Sequence, residues 1–225
     1  MEYLLDTINL EDIQVYCDYL PIAGVTSNPS IVKKEGKIDF FQHMKSVRNI
    51  IGVVRPLHIQ VTAADVDGML RDADAMLRSV DDKVYVKVPA TMNGLKVMRI
   101  LKKRGNNVTA TAIYTMAQGF LAMEAGADCL APYYNRMEAL NIDPEEVIRA
   151  FAKMIAQYDY ATKVIAASFK NMGQVNKAFL AGAQAATVDP SLLKSALGMP
   201  DISKAVEDFR ADWSSVYGDK LLANL

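Results

Sequence analysis

The sequence predicts a single (β/α)8 TIM barrel with an extra C-terminal helix. Eight short apolar runs alternate with longer segments whose apolar residues recur at helical spacing. This alternation is typical of βα units that build a parallel sheet. The length of 225 residues is ordinary for one such barrel, and no linker or low-complexity tract interrupts it. We therefore expect one barrel domain over residues 1–225.

The eight apolar runs are the predicted strands. They cover residues 3–6, 23–26, 57–62, 84–88, 108–112, 129–133, 164–168 and 185–188. The gaps between them carry helical stripes, such as Leu10, Ile13 and Cys17 in the first gap. Asp143 followed by Pro144 predicts the capped start of a later helix. A further amphipathic helix is predicted over about 203–222, and we expect it to take part in oligomer contacts.

Composition narrows the function classes. Lysine and arginine total 25 against 26 acidic residues, so neither a nucleic acid nor a membrane surface is an expected partner. The sequence shows no export signal or membrane segment, and Cys17 and Cys129 are expected to be buried thiols, which together suit the cytoplasm. With only His43 and His58, a catalytic triad is weakly supported and a multi-histidine metal site is disfavoured. No metal or cofactor is expected.

Side-chain alternation sorts the predicted strands into two faces. One face collects most of the polar residues: Asp6 with Leu4, Thr26 with Asn28, His58 with Gln60 and Thr62, Lys87 with Tyr85, Thr109 with Thr111, Tyr133 with Cys129 and Ala131, and Ser168 with Ala166. Many fall at the carboxyl ends of the strands, where barrel enzymes place their chemistry. Taken one at a time, such residues are often turn residues that bond the backbone. As a converging set they indicate a site inside the barrel.

Lys87 is the strongest single candidate. It lies between Val86 and Val88 in a predicted central strand, and lysines are rarely buried without a partner or a function. Burial lowers the pKa of an amine, and a neutral amine attacks a carbonyl to form a Schiff base. The structural alternative is a lysine that extends to the barrel mouth and pairs with Asp6. Asp6 is a candidate proton shuttle and charge partner, or otherwise the N-cap of the first helix.

Six motifs carry a family resemblance. They are LLDT near the start, AGVTSNPSI from Ala23, YVKVP from Tyr85, TATAIY from Thr109, AGADCLAPYYNR from Ala125 and AASFK from Ala166. In these motifs the sequence resembles the small transaldolase family over nearly its whole length. Within that family it is most similar to the branch of bacterial fructose-6-phosphate aldolases.

The resemblance implies a class I aldol mechanism in which Lys87 carries a dihydroxyacetone-type intermediate. It implies that Asp6 is the acid/base and charge partner and that Thr111 helps to hold a catalytic water. The family's substrate-binding positions correspond to Thr26, Asn28, Arg136 and Ser168, of which the last two resemble phosphate-binding groups. Lys170 stands where larger transaldolases have arginine, which suggests weaker phosphate recognition because a point charge replaces a bidentate fork.

Two further positions separate the branches of the family. Transaldolases have glutamate where this chain has Gln60 and phenylalanine where it has Tyr133, so both residues resemble the aldolase pattern. A phenol can donate or accept a proton during C–C bond chemistry, whereas phenylalanine cannot.

Three functions remain open on this basis. The favoured one is an aldolase that reversibly cleaves fructose 6-phosphate to dihydroxyacetone and glyceraldehyde 3-phosphate. The second is a transaldolase of the pentose phosphate pathway that passes the same dihydroxyacetone unit to another sugar phosphate. The third is a barrel kept for binding without turnover. In the first two, the partners are a sugar phosphate or a dihydroxyacetone-type ketone and an aldehyde. The resemblance also implies a homo-oligomer, a pentamer or decamer.

Overall fold

The computed structural model describes all 225 residues and contains a closed barrel of eight parallel strands. Each strand pairs with the next in the chain, and β8 pairs with β1. The strands are β1 Glu2–Asp6, β2 Ile22–Thr26, β3 Leu57–Gln60, β4 Tyr85–Pro89, β5 Asn107–Ile113, β6 Cys129–Pro132, β7 Lys163–Ala166 and β8 Ala185–Val188. The predicted (β/α)8 fold is confirmed.

Every gap between consecutive strands holds at least one helix, as predicted. The helices are α1 Leu10–Tyr19, α2 Pro29–Glu35, α3 Phe40–Ile51, α4 Val66–Ser79, α5 Met92–Lys103, α6 Met116–Glu124, α7 Tyr134–Ala139, α8 Pro144–Tyr158, α9 Met172–Leu180, α10 Pro190–Leu197 and α11 Pro200–Tyr217. The β2–β3 and β6–β7 gaps each hold two. None of the helices has the length and apolar character needed to span a membrane.

Short polar side chains start most of these helices. Asp143 caps α8 by accepting hydrogen bonds from the backbone N–H groups of Glu145 and Glu146, as its sequence position predicts. Asn9 caps α1 by accepting from the Asp12 N–H. The cap of α1 is therefore Asn9, and the alternative reading of Asp6 as that cap is wrong. The Asp6 carboxylate is left for the barrel interior.

Small and apolar side chains fill the barrel below its mouth. Leu4, Cys129, Ile165 and Ala185 form one buried cluster, against which Tyr85 packs. Because Ile165 lies inside, strand alternation places Ala166 on the face toward the helices. The prediction that Ala166 shares an inner face with Ser168 was wrong. Ser168 lines the cavity because the chain has left β7 after Ala166 and Ser168 has a φ of 65°, so strand alternation no longer relates the two residues.

Three predicted strands extend too far at their carboxyl ends. β3 ends at Gln60, and the N–H and hydroxyl of Thr62 instead donate to the Asp72 carboxylate, so Thr62 is not an inner-face residue. β6 ends at Pro132, and β7 ends at Ala166. In each case the chain turns into its loop earlier than the apolar pattern indicates.

β5 contains an irregularity that the sequence does not reveal. Its pairing with β6 shifts between Ala110 and Ile113, and Ala112 has a φ of 54°. The extra residue forms a bulge, which redirects side chains locally. The bulge lies at the carboxyl end of the strand, beside the candidate site.

The chain divides into two compact units, Met1–Pro190 and Ser191–Leu225. The first contains the barrel. The second contains α11, which begins three residues before and ends five residues before the predicted span of 203–222. Val206, Phe209 and Val216 on α11 are exposed, and Trp213 stacks on Tyr217 with ring centroids 4.6 Å apart.

Candidate active site

A cavity of about 390 Å³ opens among the carboxyl ends of the strands. Its lining combines one buried lysine, one carboxylate, several hydroxyl and amide groups and two cations nearer the rim. The lining residues are Asp6, Asn28, Pro29, Ser30, Ile31, Lys34, Gln60, Lys87, Ala112, Tyr114, Tyr133, Arg136, Ala167 and Ser168. A concave, polar pocket at this end of a barrel is where catalysis is expected.

Lys87 lies on β4 and is only 3% exposed. Its Nζ donates a hydrogen bond of 2.8 Å to the Ser27 carbonyl, at the end of β2. Burial lowers the pKa of Lys87, and the nearby charge of Asp6 opposes that shift. The amine is therefore held in one position by a neutral acceptor, and burial favours the form that can act as a nucleophile.

Asp6 sits at the end of a chain of buried hydroxyl groups. The Thr26 hydroxyl donates to Asp6 Oδ1 at 2.7 Å and lies 2.6 Å from the hydroxyl of Thr187. Since the Thr26 proton is used on Asp6, Thr187 donates to Thr26. Burial raises the pKa of Asp6, while Lys87 and the Thr26 hydrogen bond lower it. Asp6 therefore acts on Lys87 as a nearby charge, and each has a different hydrogen-bond partner.

Tyr133, which follows β6, adds a phenol to the cavity wall. Its hydroxyl lies 3.0 Å from Thr111 Oγ1, and burial raises the pKa of Tyr133. The Arg136 guanidinium lies over the Tyr133 ring, 5.0 Å from its centroid, and donates to the Tyr114 hydroxyl at 3.2 Å. Burial therefore keeps the phenol protonated at neutral pH, although the Thr111 hydrogen bond and the Arg136 charge lower the Tyr133 pKa. The two Arg136 contacts hold the guanidinium close to the rim.

Two side chains of β3 carry buried polar atoms that have no hydrogen-bond partner: Gln60 Oε1 and His58 Nε2. Such atoms are rare in folded proteins, and a role in catalysis or in binding a ligand is one explanation for them. Gln60 lines the cavity, so its oxygen can accept from a ligand hydroxyl. His58 lies deeper, with Nδ1 2.8 Å from the Thr109 hydroxyl. Burial lowers the pKa of His58 to about 3, so its ring is uncharged at neutral pH.

Two glutamines fix the loops that follow β5 and β7. Gln118 accepts from the Tyr114 N–H and donates to the carbonyls of Ala90 and Ala112. Gln174 accepts from the Lys170 N–H and donates to Asn135 Oδ1. Each glutamine follows a helix cap by three residues, as in a capping box, but bonds the residue before the cap.

Comparison with known proteins places this arrangement in a family. A sequence profile described as Transaldolase/Fructose-6-phosphate aldolase matches residues 3–221. The chain belongs to this family.

Individual relatives cover nearly the whole chain. A probable fructose-6-phosphate aldolase of Streptococcus pneumoniae is 52% identical over 95% of this chain and 96% of its own length. A probable transaldolase of a Chelativorans species is 34% identical over 98% of this chain and 100% of its own length. A probable transaldolase of Agathobacter rectalis is 32% identical, over 97% and 100% respectively. The predicted family is thus confirmed, and the chain is an enzyme of the aldolase/transaldolase kind.

The structure of this aldolase/transaldolase brings most of the predicted site residues together. Asp6, Asn28, Gln60, Lys87, Tyr133, Arg136 and Ser168 line one cavity. Thr26 and Thr111 lie directly behind it, bonded to Asp6 and Tyr133. Lys170 is exposed, does not line the cavity and meets the site only through its backbone N–H to Gln174. β7 ends before Ser168, and Ser168 has a φ of 65°, so strand alternation does not extend to Lys170. The Lys170 side chain therefore faces away from the cavity although Ser168 lines it.

Sequence analysis missed Thr187, Tyr114 and Lys34. Thr187 had a visible signal, because it is a lone hydroxyl on the inner face of β8. Tyr114 follows the bulge in β5, which has no sequence signature. Lys34 lies in the last turn of α2, where a solvated lysine at a helix end is the usual explanation.

The prediction that both cysteines are buried holds for Cys129 but was wrong for Cys17, which is only half-buried. Burial raises the pKa of Cys129 to about 12, which makes its thiol a poor nucleophile. Both are free thiols.

Proposed function

We propose that this chain is a class I aldolase that reversibly cleaves fructose 6-phosphate to dihydroxyacetone and glyceraldehyde 3-phosphate through a Schiff base on Lys87. The observation that carries the proposal is the buried amine of Lys87, which lines a cavity beside a carboxylate. Burial favours the neutral amine, which is the nucleophile. The family membership and the 52% identical probable fructose-6-phosphate aldolase support it.

In the first step, the Lys87 nitrogen attacks C2 of the open-chain ketose and the ketone oxygen gains a proton. The resulting carbinolamine loses its hydroxyl as water and leaves a protonated iminium. Asp6 serves as the proton shuttle in this exchange, and its carboxylate balances the iminium charge. The hydroxyls of Thr26 and Thr187 hold Asp6 in place, since both are buried and hydrogen-bonded in series.

In the second step, the C4 hydroxyl loses its proton and the C3–C4 bond breaks. C4 becomes the aldehyde carbon of glyceraldehyde 3-phosphate, and the electron pair passes through C3 to the iminium nitrogen as an enamine. We assign the proton transfer to Tyr133, with Thr111 holding the intervening water. Protonation of C3 and hydrolysis of the iminium then release dihydroxyacetone and restore the amine.

The remaining predicted residues are assigned to substrate binding. The Asn28 oxygen caps α2, so its amide N–H groups are the part available to a substrate oxygen. Gln60 Oε1 accepts from a substrate hydroxyl, which supplies its missing hydrogen bond. Arg136 and Ser168 bind the phosphate.

The decisive experiment is borohydride trapping with dihydroxyacetone, followed by peptide mass mapping. The proposal expects one reduced adduct at Lys87 and none in Lys87→Met. Lys83, which precedes the same strand and is exposed, provides the matched control as Lys83→Met. An adduct on another lysine, or no adduct in the folded protein, would refute the Schiff-base assignment.

A transaldolase is the second candidate, because relatives at 34% and 32% identity are named probable transaldolases. It uses the same Lys87 enamine but passes it to an acceptor aldehyde. Rates of cleavage without an acceptor and of transfer to erythrose 4-phosphate separate the two. Gln60→Glu should shift the ratio toward transfer, and an unchanged ratio would contradict the role given to Gln60.

We also infer that the chain forms a homo-oligomer, either a pentamer or a decamer, through α11. The exposed apolar residues Val206, Phe209 and Val216 on that helix support this inference. Light scattering that shows a monomer would contradict it. The two free thiols suit a reducing compartment such as the cytoplasm.

A further inference from the structure

The rim of the cavity carries a second cation besides Arg136. Lys34 lies in the last turn of α2 and lines the same cavity, yet no role has been assigned to it. Its Nζ forms an ion pair of 3.2 Å with Asp189 Oδ2. Asp189 directly follows β8, so the ion pair joins the loop after β2 to the loop after β8.

The ion pair places the Lys34 ammonium in a defined sector of the rim. Around the barrel, β6, β7 and β8 are consecutive neighbours. Arg136 follows β6, Ser168 follows β7, and the Lys34–Asp189 pair marks the end of β8. An anion beside Ser168 is therefore flanked by Arg136 on one side and by Lys34 on the other. Loops after strands 7 and 8 of such barrels commonly bind phosphate.

The Lys34–Asp189 ion pair can exchange its carboxylate for another anion. The two side chains are 67% and 40% exposed, and exposed ion pairs add little stability. A phosphate dianion carries more charge than a carboxylate and more oxygens that accept hydrogen bonds. Both side chains are also close enough to act electrostatically on Asp6, because the Lys34 charge lowers the pKa of Asp6 and the Asp189 charge raises it.

We propose that Lys34 determines specificity for phosphorylated substrates by leaving Asp189 and binding the substrate phosphate opposite Arg136. This inference rests on the proposed function for the identity of the substrate. It takes the place of the earlier expectation for Lys170, whose side chain does not line the cavity. Asp189 then serves as an internal competitor that holds the lysine at the rim when no phosphate is bound.

The kinetic test compares Lys34→Gln with Lys33→Gln. Lys33 is the matched control because it precedes Lys34 on the same helical turn, is exposed and does not line the cavity. The measured quantity is the ratio of kcat/KM for cleavage of fructose 6-phosphate to that for cleavage of fructose. Lys34→Gln should lower this ratio about tenfold, mainly through a higher KM for the phosphorylated sugar, as loss of one charge-assisted hydrogen bond predicts. Lys33→Gln should keep the wild-type ratio.

A binding test does not depend on turnover. Inorganic phosphate is titrated into the full-length protein and followed by calorimetry. Lys34→Gln should weaken phosphate binding about tenfold, whereas Asp189→Asn should strengthen it because the competing carboxylate is gone. Equal ratios and equal phosphate affinities in the Lys34 and Lys33 variants would overturn the proposal. Failure of borohydride trapping in the wild type would refute the Schiff-base function alone, because the phosphate titration still tests Lys34.

Discussion

Gly94 controls how closely α5 approaches the strand that carries Lys87. A Cβ built at Gly94 would lie 1.8 Å from the Pro89 carbonyl oxygen, whereas real Cβ atoms do not approach closer than 3.0 Å. Gly94→Ala therefore requires a relative shift of at least 3.0 − 1.8 = 1.2 Å between α5 and the end of β4. The Pro89 oxygen is a backbone atom and also accepts from the Thr91 N–H at 2.8 Å. The clash therefore cannot be relieved by moving a flexible side chain.

The expected cost combines two opposing effects. Overpacking costs about 3 kcal/mol at the upper end of its usual range, because backbone must move. Alanine recovers about 1 kcal/mol through its higher helix propensity. The net loss in the free energy of unfolding is then about 2 kcal/mol, or about 4–8 °C in Tm for a chain of this size. Since Pro89 lies two residues after Lys87, the rate of adduct formation with dihydroxyacetone should fall about 10- to 100-fold.

Two measurements check this prediction: urea unfolding, and the rate of borohydride-trapped adduct formation. Gly173→Ala is the matched control, because Gly173 lies in the first turn of α9 and its added Cβ would meet only Asn171 Oδ1, at 3.0 Å. There the helix-propensity gain of about 1 kcal/mol opposes a contact with one side-chain atom rather than with backbone, so this variant should not be less stable than the wild type. If Gly94→Ala were as stable and as reactive as the wild type, α5 would not position Lys87 and the reasoning would be wrong.

Three further substitutions test the proposed roles in the site. Asp6→Asn removes the charge that raises the pKa of Lys87, so the amine becomes neutral at lower pH. In a plot of the adduct-formation rate against pH, the acid limb should therefore move to lower pH. Turnover should fall about 100-fold or more because the proton shuttle is lost. A limb that moves to higher pH would contradict this sign. Tyr133→Phe should retain adduct formation but slow cleavage by about 10²- to 10⁴-fold, and parallel losses in both assays would argue against a proton-transfer role. Thr187→Val should lower the free energy of unfolding by about 1 kcal/mol through loss of its hydrogen bond to Thr26, measured by urea unfolding with Thr162→Val, a buried hydroxyl outside the site, for comparison.

The barrel and the burial of Lys87 inside it could be predicted from the sequence because both follow from strand alternation. Lys87 and Gln60 are polar residues with apolar neighbours, and the period of two places them inside a closed sheet. Lys170 was assigned to the site from its motif, but its position depends on the left-handed backbone at Ser168. Lys34 enters the site through a helix end and an ion pair 155 residues away in sequence. Such tertiary contacts leave no local pattern.

The left-handed residues at the barrel mouth bear on engineering. Ala112 and Ser168 both have positive φ without being glycine, and each such position costs on the order of 1–3 kcal/mol. Both line the cavity, so part of the protein's stability is given up where the substrate is proposed to bind. Glycine at either position would relieve this strain and raise stability, but with a risk to turnover because both residues line the cavity. Substitutions around the amino ends of the strands would be safer.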